Sequence, residues 1–125
     1  FPRNIAADGR FRGLLLRAHD MCTDGRLLGA RELSNIIHAV AKMNAAGRLT
    51  VNNDGDVQGT LAALEMRVVL LASDMKAQEI ANTIWGHAPL QREPVAESWT
   101  ALEAAVAWAA KEMKAQEVAN CIWGF

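Results

Sequence analysis

A chain of 125 residues and 13.6 kDa is long enough to bury one modest hydrophobic core. Its net charge of −1 argues against a global basic field, although it leaves room for a basic stripe. No apolar run approaches the roughly 20 residues that span a bilayer, so no membrane partner is expected. The two cysteines, Cys22 and Cys121, do not form a disulfide framework, which favours a reducing compartment.

The first predicted unit is a pair of helices over about residues 11–43. Phe11–Ala18 is apolar at helical spacing, and Leu33 and Ile37 lie four residues apart on one face of a second helix. Residues 44–56 follow. They are rich in Gly, Asn and Asp, which favour turns, and they predict an extended loop.

The second predicted unit covers about residues 57–90. Asp54 or Asp56 is placed to cap its first helix. The apolar side chains of that helix have amphipathic spacing, at Leu61, Leu64, Val68 and Leu71. Ile80 and Ile84 mark the second helix, and Pro89 and Pro94 bracket a helix break after it.

The third predicted unit covers about residues 91–125. Its first helix carries Trp99, Leu102, Val106 and Ala109, with Glu97 or Ser98 near its start. Its second helix carries Val118 and Ile122. The chain starts at Phe1 rather than Met and stops inside this unit, so we expect a truncated repeat in a fragment of a longer protein.

An internal repeat links these units. Met75–Gly86 recurs 38 residues further on as Met113–Gly124, with ten of twelve positions identical. Glu32–Ala41 aligns more weakly with Glu79–Ala88, and the longer offset is absorbed by residues 44–56. A period of this size is typical of stacked supersecondary units. The sequence therefore predicts a single all-α domain over 1–125, an α-solenoid of about three helix-turn-helix repeats.

The repeated core Gln-Glu-(Ile/Val)-Ala-Asn-x-Ile-Trp-Gly and the Pro94–Trp99 run, with Glu93 before it, resemble octotricopeptide repeats. These are 38-residue helical hairpins of organellar proteins, related to the helical arrays of FAST-kinase-like proteins. The matching residues are Gln78, Glu79, Ala81, Asn82, Trp85, Gln116, Glu117, Ala119, Asn120 and Trp123. Ala77 and Ala115 depart from the family's usual proline, and the first unit has His38 for the tryptophan and Arg31 for the glutamine.

The resemblance implies a non-catalytic RNA-binding protein of mitochondria or, alternatively, chloroplasts. Such a protein would be a component of a mitochondrial ribosome that stabilises rRNA, or a factor in transcript maturation or translation. Its partners would be single-stranded RNA or rRNA and other proteins of a ribonucleoprotein assembly. The competing hypothesis is a protein–protein scaffold with the same α-solenoid fold inside a large assembly.

Two sets of residues are candidates for RNA contact. A position that reads bases should vary between repeats, and Ile36, Thr83 and Cys121 do so beside a recurring asparagine. That position is equally consistent with tolerant packing. The basic residues Arg31, Lys76 and Lys114 recur near the start of the second helices and could meet phosphates. Solvated lysines at a helix start are an equally good explanation.

The recurring residues are assigned to the architecture. Asn35, Asn82 and Asn120 are predicted to fix one helix to the next repeat by a side-chain hydrogen bond, because a base-reading position should vary. Trp85 and Trp123 are predicted to belong to the repeat core. Glu79 and Glu117 are predicted to cap or bridge within the second helices.

No motif indicates an enzyme. His19, His38 and His87 are scattered, and no Cys/His spacing suits zinc. Phosphate loops, nucleophile elbows and dinucleotide fingerprints do not occur. The sequence therefore predicts neither a catalytic site, a metal site nor a cofactor.

Overall fold

A computed structural model describes residues 5–23, 28–90 and 94–124, apart from the side chain of Ala88. These ranges contain six α-helices and no β-strand, so the predicted all-α class is confirmed. The helices are α1 (Gly9–Met21), α2 (Ala30–Ala45), α3 (Gly55–Leu71), α4 (Ala77–Leu90), α5 (Ala96–Ala109) and α6 (Ala115–Gly124). The predicted features at Phe1, residues 91–93 and Phe125 lie outside the described residues.

Aspartate side chains cap the N-termini of α1 and α3. The side chain of Asp8 accepts a hydrogen bond of 2.8 Å from the backbone N–H of Arg10 at the start of α1. Asp54, one of the two candidates from the sequence, accepts 3.2 Å from the N–H of Val57 and caps α3. The starts of α1 and α3 therefore follow local signals that the sequence carries.

The predicted loop at 44–56 is more structured than its composition indicates. Gly47 adopts a φ of +74°, which favours glycine, and a 3₁₀ turn follows at Val51–Asn53. Leu49 and Val51 are buried. The side-chain amide of Asn44 donates 2.7 Å to the carbonyl of Pro89 and accepts 3.1 Å from the N–H of Val51. These bonds tie the segment to the end of α4.

Helices pack against the helix two positions further along the chain. α2 packs against α4 and α4 against α6, while α1 packs against α3 and α3 against α5. Contacts of α2 with α3 and of α4 with α5 join the two rows. The core lies between the rows and includes the fully buried Leu33, Ile37, Leu64, Ile80, Ile84 and Leu102. Burying each such side chain stabilises the fold by roughly 1.5–3 kcal/mol.

Candidate nucleic-acid interface

The second helices α4 and α6 begin with the same hydrogen bond. The N–H of Lys76 donates 2.9 Å to Glu79 Oε1, and the N–H of Lys114 donates 3.1 Å to Glu117 Oε1. This is the reach-back half of a capping box, and it confirms the predicted capping role of the two glutamates. It also fixes the backbone of both lysines, whose side chains are exposed. Arg31 is exposed as well, near the start of α2.

The position predicted to read bases is a packing position. Thr83 is fully buried, and its hydroxyl donates 2.8 Å to the carbonyl of Glu79 in its own helix. Cys121 is buried, with its Sγ 3.8 Å from the sulfur of Met113. Burial, and secondarily the charge of Glu117, raises the pKa of the Cys121 thiol. A base could reach these side chains only by opening the contacts between helices.

Ile36, the first member of that position, is half-buried and packs against the core. The prediction of a base-reading column at Ile36, Thr83 and Cys121 is therefore corrected, because helix packing takes up this face. The sequence had left tolerant packing open as the alternative, and the burial favours it.

Within the described ranges, the recurring asparagines do not make the predicted hydrogen bonds between repeats. Asn35 is exposed, and Asn82 and Asn120 are half-buried. The one bond among them is the 3.2 Å contact from Gln116 Nε2 to Asn120 Oδ1, within α6. Across the described ranges, none of the three bonds to a neighbouring helix. The prediction that they lock one repeat to the next is therefore wrong, since their amides lie at the surface.

The aromatic residues of the repeat also lie at or near the surface. Trp85 is half-buried and packs against the core, as predicted, whereas Trp123 is 65% exposed rather than in the core. The ring of Trp85 lies beside the imidazole of His38, with centroids 4.7 Å apart and planes inclined by 57°. Burial, and then the charge of Lys42, lowers the pKa of His38 below its usual value. His38 and Trp85 thus form an aromatic pair that bridges α2 and α4.

These positions lie on equivalent faces of three successively packed helices, and we call the set the asparagine stripe. Each of α2, α4 and α6 contributes residues at i, i+4 and i+7, which share a helix face. Because α4 packs between α2 and α6, the three faces lie side by side. The stripe consists of Arg31, Asn35, His38, Gln78, Asn82, Trp85, Gln116, Asn120 and Trp123, all exposed or half-buried. The i, i+4, i+7 spacing is present in the sequence, but the recurrence of these asparagines and tryptophans alone predicts packing.

The stripe offers chemistry suited to nucleobases. Its amides supply both donors and acceptors, and its rings supply stacking surfaces. The exposed Lys76 and Lys114 lie at one end of the same helices, where the backbone is held by the capping glutamates. Those glutamates are half-buried and engaged with the backbone, while the exposed Asp74 and Glu112 lie two residues before Lys76 and Lys114.

Within the described ranges, no three His, Cys, Asp or Glu side chains gather where they could hold a metal ion. None of the described helices combines the length and apolar character needed to cross a membrane. No family model, curated protein or solved structure matches the chain. The function is therefore inferred from the geometry of the asparagine stripe.

Proposed function

We propose that the chain binds single-stranded RNA through the asparagine stripe. The observation that carries this proposal is that equivalent asparagine and aromatic side chains on three successively packed helices are all at least partly exposed. In the described part of the chain, Asn82 and Trp123 make no side-chain hydrogen bond, so an amide and an indole remain free to contact a ligand. Regularly spaced polar and aromatic groups suit the unstacked bases of a single strand.

Each type of side chain in the stripe would make a different contact with RNA. Amides at Asn35, Asn82 and Asn120 would meet base edges, and Trp85 and Trp123 would stack on base faces. Lys76 and Lys114 would meet phosphates at the helix starts. A recurring rather than varying set of base contacts implies similar binding to successive nucleotides and weak discrimination between sequences.

The repeat supports a wider proposal about the architecture. The 38-residue recurrence and the packing of α2, α4 and α6 in succession support an α-solenoid of helical hairpins. The resemblance to octotricopeptide repeats supports a non-catalytic role in an organelle, the mitochondrion or alternatively the chloroplast. There the protein would stabilise rRNA in a ribosome or serve transcript maturation or translation.

The direct test is anisotropy titration of the 125-residue chain against homopolymeric single-stranded RNAs. With three repeats the affinity should be weak. Trp123→Ala should weaken it about tenfold, because stacking contributes about 1–3 kcal/mol per base. The matched control is Trp108→Ala on α5, which removes a tryptophan that is 49% exposed outside the stripe. Equal losses in the two variants, or no loss in either, would contradict the proposal.

A protein scaffold remains the second candidate because of a different surface. The α1–α3 side carries exposed apolar residues, including Leu16 at 64% and Leu70 at 63% exposure. Two shallow cavities of about 440 and 320 Å³ lie along this side. An apolar groove of this kind suits a protein partner. Leu70→Glu should leave RNA affinity unchanged, and a loss of RNA binding in that variant would move the RNA site to this groove.

A further inference from the structure

The outer face of α5 and α6 is equivalent in the repeat to a face of α3 and α4. That face of α3 and α4 is covered by α5 and α6. On α4, Ile80 and Ile84 are fully buried. Their repeat counterparts on α6 are Val118, which is 41% exposed, and Ile122, which is 72% exposed. The helix that packs next to α4 along its row is α6. The α5–α6 face thus presents apolar groups that the preceding repeat keeps covered.

Glycines mark the point of closest approach in the covered interfaces. A Cβ on Gly86 of α4 would lie 3.0 Å from Ile37 Cγ2 of α2. One on Gly124 of α6 would lie 2.3 Å from the carbonyl oxygen of Ile84. Ile37 and Ile84 are equivalent positions of the repeat, and Ile122 is the next in that series. The surface around Ile122 is therefore shaped for a helix that presents a glycine.

A glutamate recurs on the first helix of the second and third units. Glu65 of α3 is buried, and its carboxylate accepts a hydrogen bond from the backbone N–H of Val95, directly before α5. This glutamate of one unit thereby holds the start of the next unit's first helix. Its counterpart Glu103 on α5 is exposed. The outer face of α5 and α6 therefore presents apolar groups and a carboxylate. The equivalent groups of α3 and α4 contact α5 and α6.

We propose that the α5–α6 face is a docking surface for one further helical hairpin of the same type. The hairpin would place a glycine of its second helix against Ile122. The backbone N–H before its first helix would donate a hydrogen bond to the carboxylate of Glu103. This docking would repeat the interface between α3–α4 and α5–α6. It does not depend on RNA binding. A second copy of this chain fits less well, because its α2 carries Ala39 at the glycine position, where the approach seen at Gly124 leaves no room for a Cβ.

The test extends the full chain by one repeat. A second copy of residues 88–124 is appended after Phe125, which preserves the 38-residue register. Glu103→Ala and Ile122→Gln are then introduced into both the original and the extended chain. Each should change the Tm of the original chain by less than about 2 °C, since both side chains are exposed there. In the extended chain each should lower the Tm by roughly 4 °C or more, because both groups would be buried.

A control chain carries leucine at the copied Gly124, which should block docking and return both variants to near-neutral effects. Sedimentation velocity should show monomers of the original and extended chains. Equal effects of each variant in both backgrounds, or an appended segment that adds no helical circular dichroism, would overturn the proposal. An original chain that dimerises, and that Ile122→Gln returns to monomer, would assign the face to a second copy and would likewise overturn it.

Discussion

Gly124 of α6 lies against the main chain of Ile84 in α4, so closely that a Cβ there would meet the Ile84 carbonyl oxygen at 2.3 Å. The obstacle is backbone, which cannot swing aside as a flexible side chain can. Gly124→Ala should therefore push α6 away from α4 and destabilise the protein by roughly 1–3 kcal/mol, the usual cost of overpacking. Urea denaturation followed by circular dichroism measures the change.

Gly59 provides the matched control for that substitution. It lies within α3, and a Cβ there would meet nothing within 4 Å. Gly59→Ala should stabilise the protein by up to about 1 kcal/mol through helix propensity. If Gly124→Ala proved as stabilising as Gly59→Ala, the close approach of α6 to α4 would be refuted.

Glu65 gives a second prediction, since its buried carboxylate accepts the N–H of Val95. Glu65→Ala would leave that N–H without its acceptor, and the cost should be about 1–3 kcal/mol. Glu65→Gln retains a side-chain oxygen and should recover part of the loss. Thermal melts of both variants beside Glu103→Ala measure this, and a loss from the exposed Glu103 equal to that from Glu65 would contradict it.

The sequence predicted the fold class well because its signals are local. Apolar periodicity placed every α-helix of the described chain, and Asp54 was among the predicted caps. The candidate site fared differently. The helix face that carries Asn82 and Trp85 is set by which side α2 and α6 pack on, and that choice depends on tertiary contacts. Recurrence alone does not distinguish a repeated surface from a repeated core.

Residues 44–56 show the same limit at the level of a loop. Composition correctly indicated turns, and Gly47 takes a positive φ. The burial of Val51 and the bond from Asn44 to Pro89 join segments 45 residues apart in the chain. Such long-range contacts leave little trace in local composition, so the packed character of this segment escaped prediction.

The asparagines give a third prediction. Asn82 makes no side-chain hydrogen bond within the described ranges, whereas Asn44 makes two, to Pro89 and Val51. Asn82→Ala should therefore leave the free energy of unfolding within about 0.5 kcal/mol. Asn44→Ala should reduce it by about 2 kcal/mol, since each net hydrogen bond contributes about 1 kcal/mol. Denaturant titration compares the two, and a larger loss from Asn82 would restore the structural role that the sequence indicated.

Acid stability gives a fourth prediction, through the ion pair that joins α1 to α3. Arg12 Nη1 donates 2.9 Å to Asp54 Oδ1, and the side chain of Asp54 is only 11% exposed. The hydrogen bond from Arg12 is the main cause that lowers the pKa of Asp54. Because the folded pKa lies below the unfolded value of about 3.9, the stabilisation is complete above that value. It is lost as pH falls from about 4 through the folded pKa.

Thermal melts across the acid range measure this dependence. Asp54→Asn should lower the Tm at neutral pH and flatten its fall with acid. The control is Asp56→Asn, because Asp56 is 83% exposed and 3.5 Å from the same guanidinium. It should change both the neutral Tm and the acid slope little. An Asp54→Asn variant with the original acid slope would show that another group governs the transition.

The fifth prediction concerns the basic residues at the helix starts. Lys76 and Lys114 are exposed and their backbones are held by Glu79 and Glu117. If each meets a phosphate of a single strand, each should contribute about 0.7 to the slope of log affinity against log salt. Lys76→Gln with Lys114→Gln should therefore reduce that slope by about 1.4. Lys111→Gln, an exposed lysine on the turn after α5, serves as the control and should leave it unchanged. RNA affinity that does not respond to salt in the parent chain would remove the phosphate contacts from the proposal and leave the amides and rings of the stripe as its only basis.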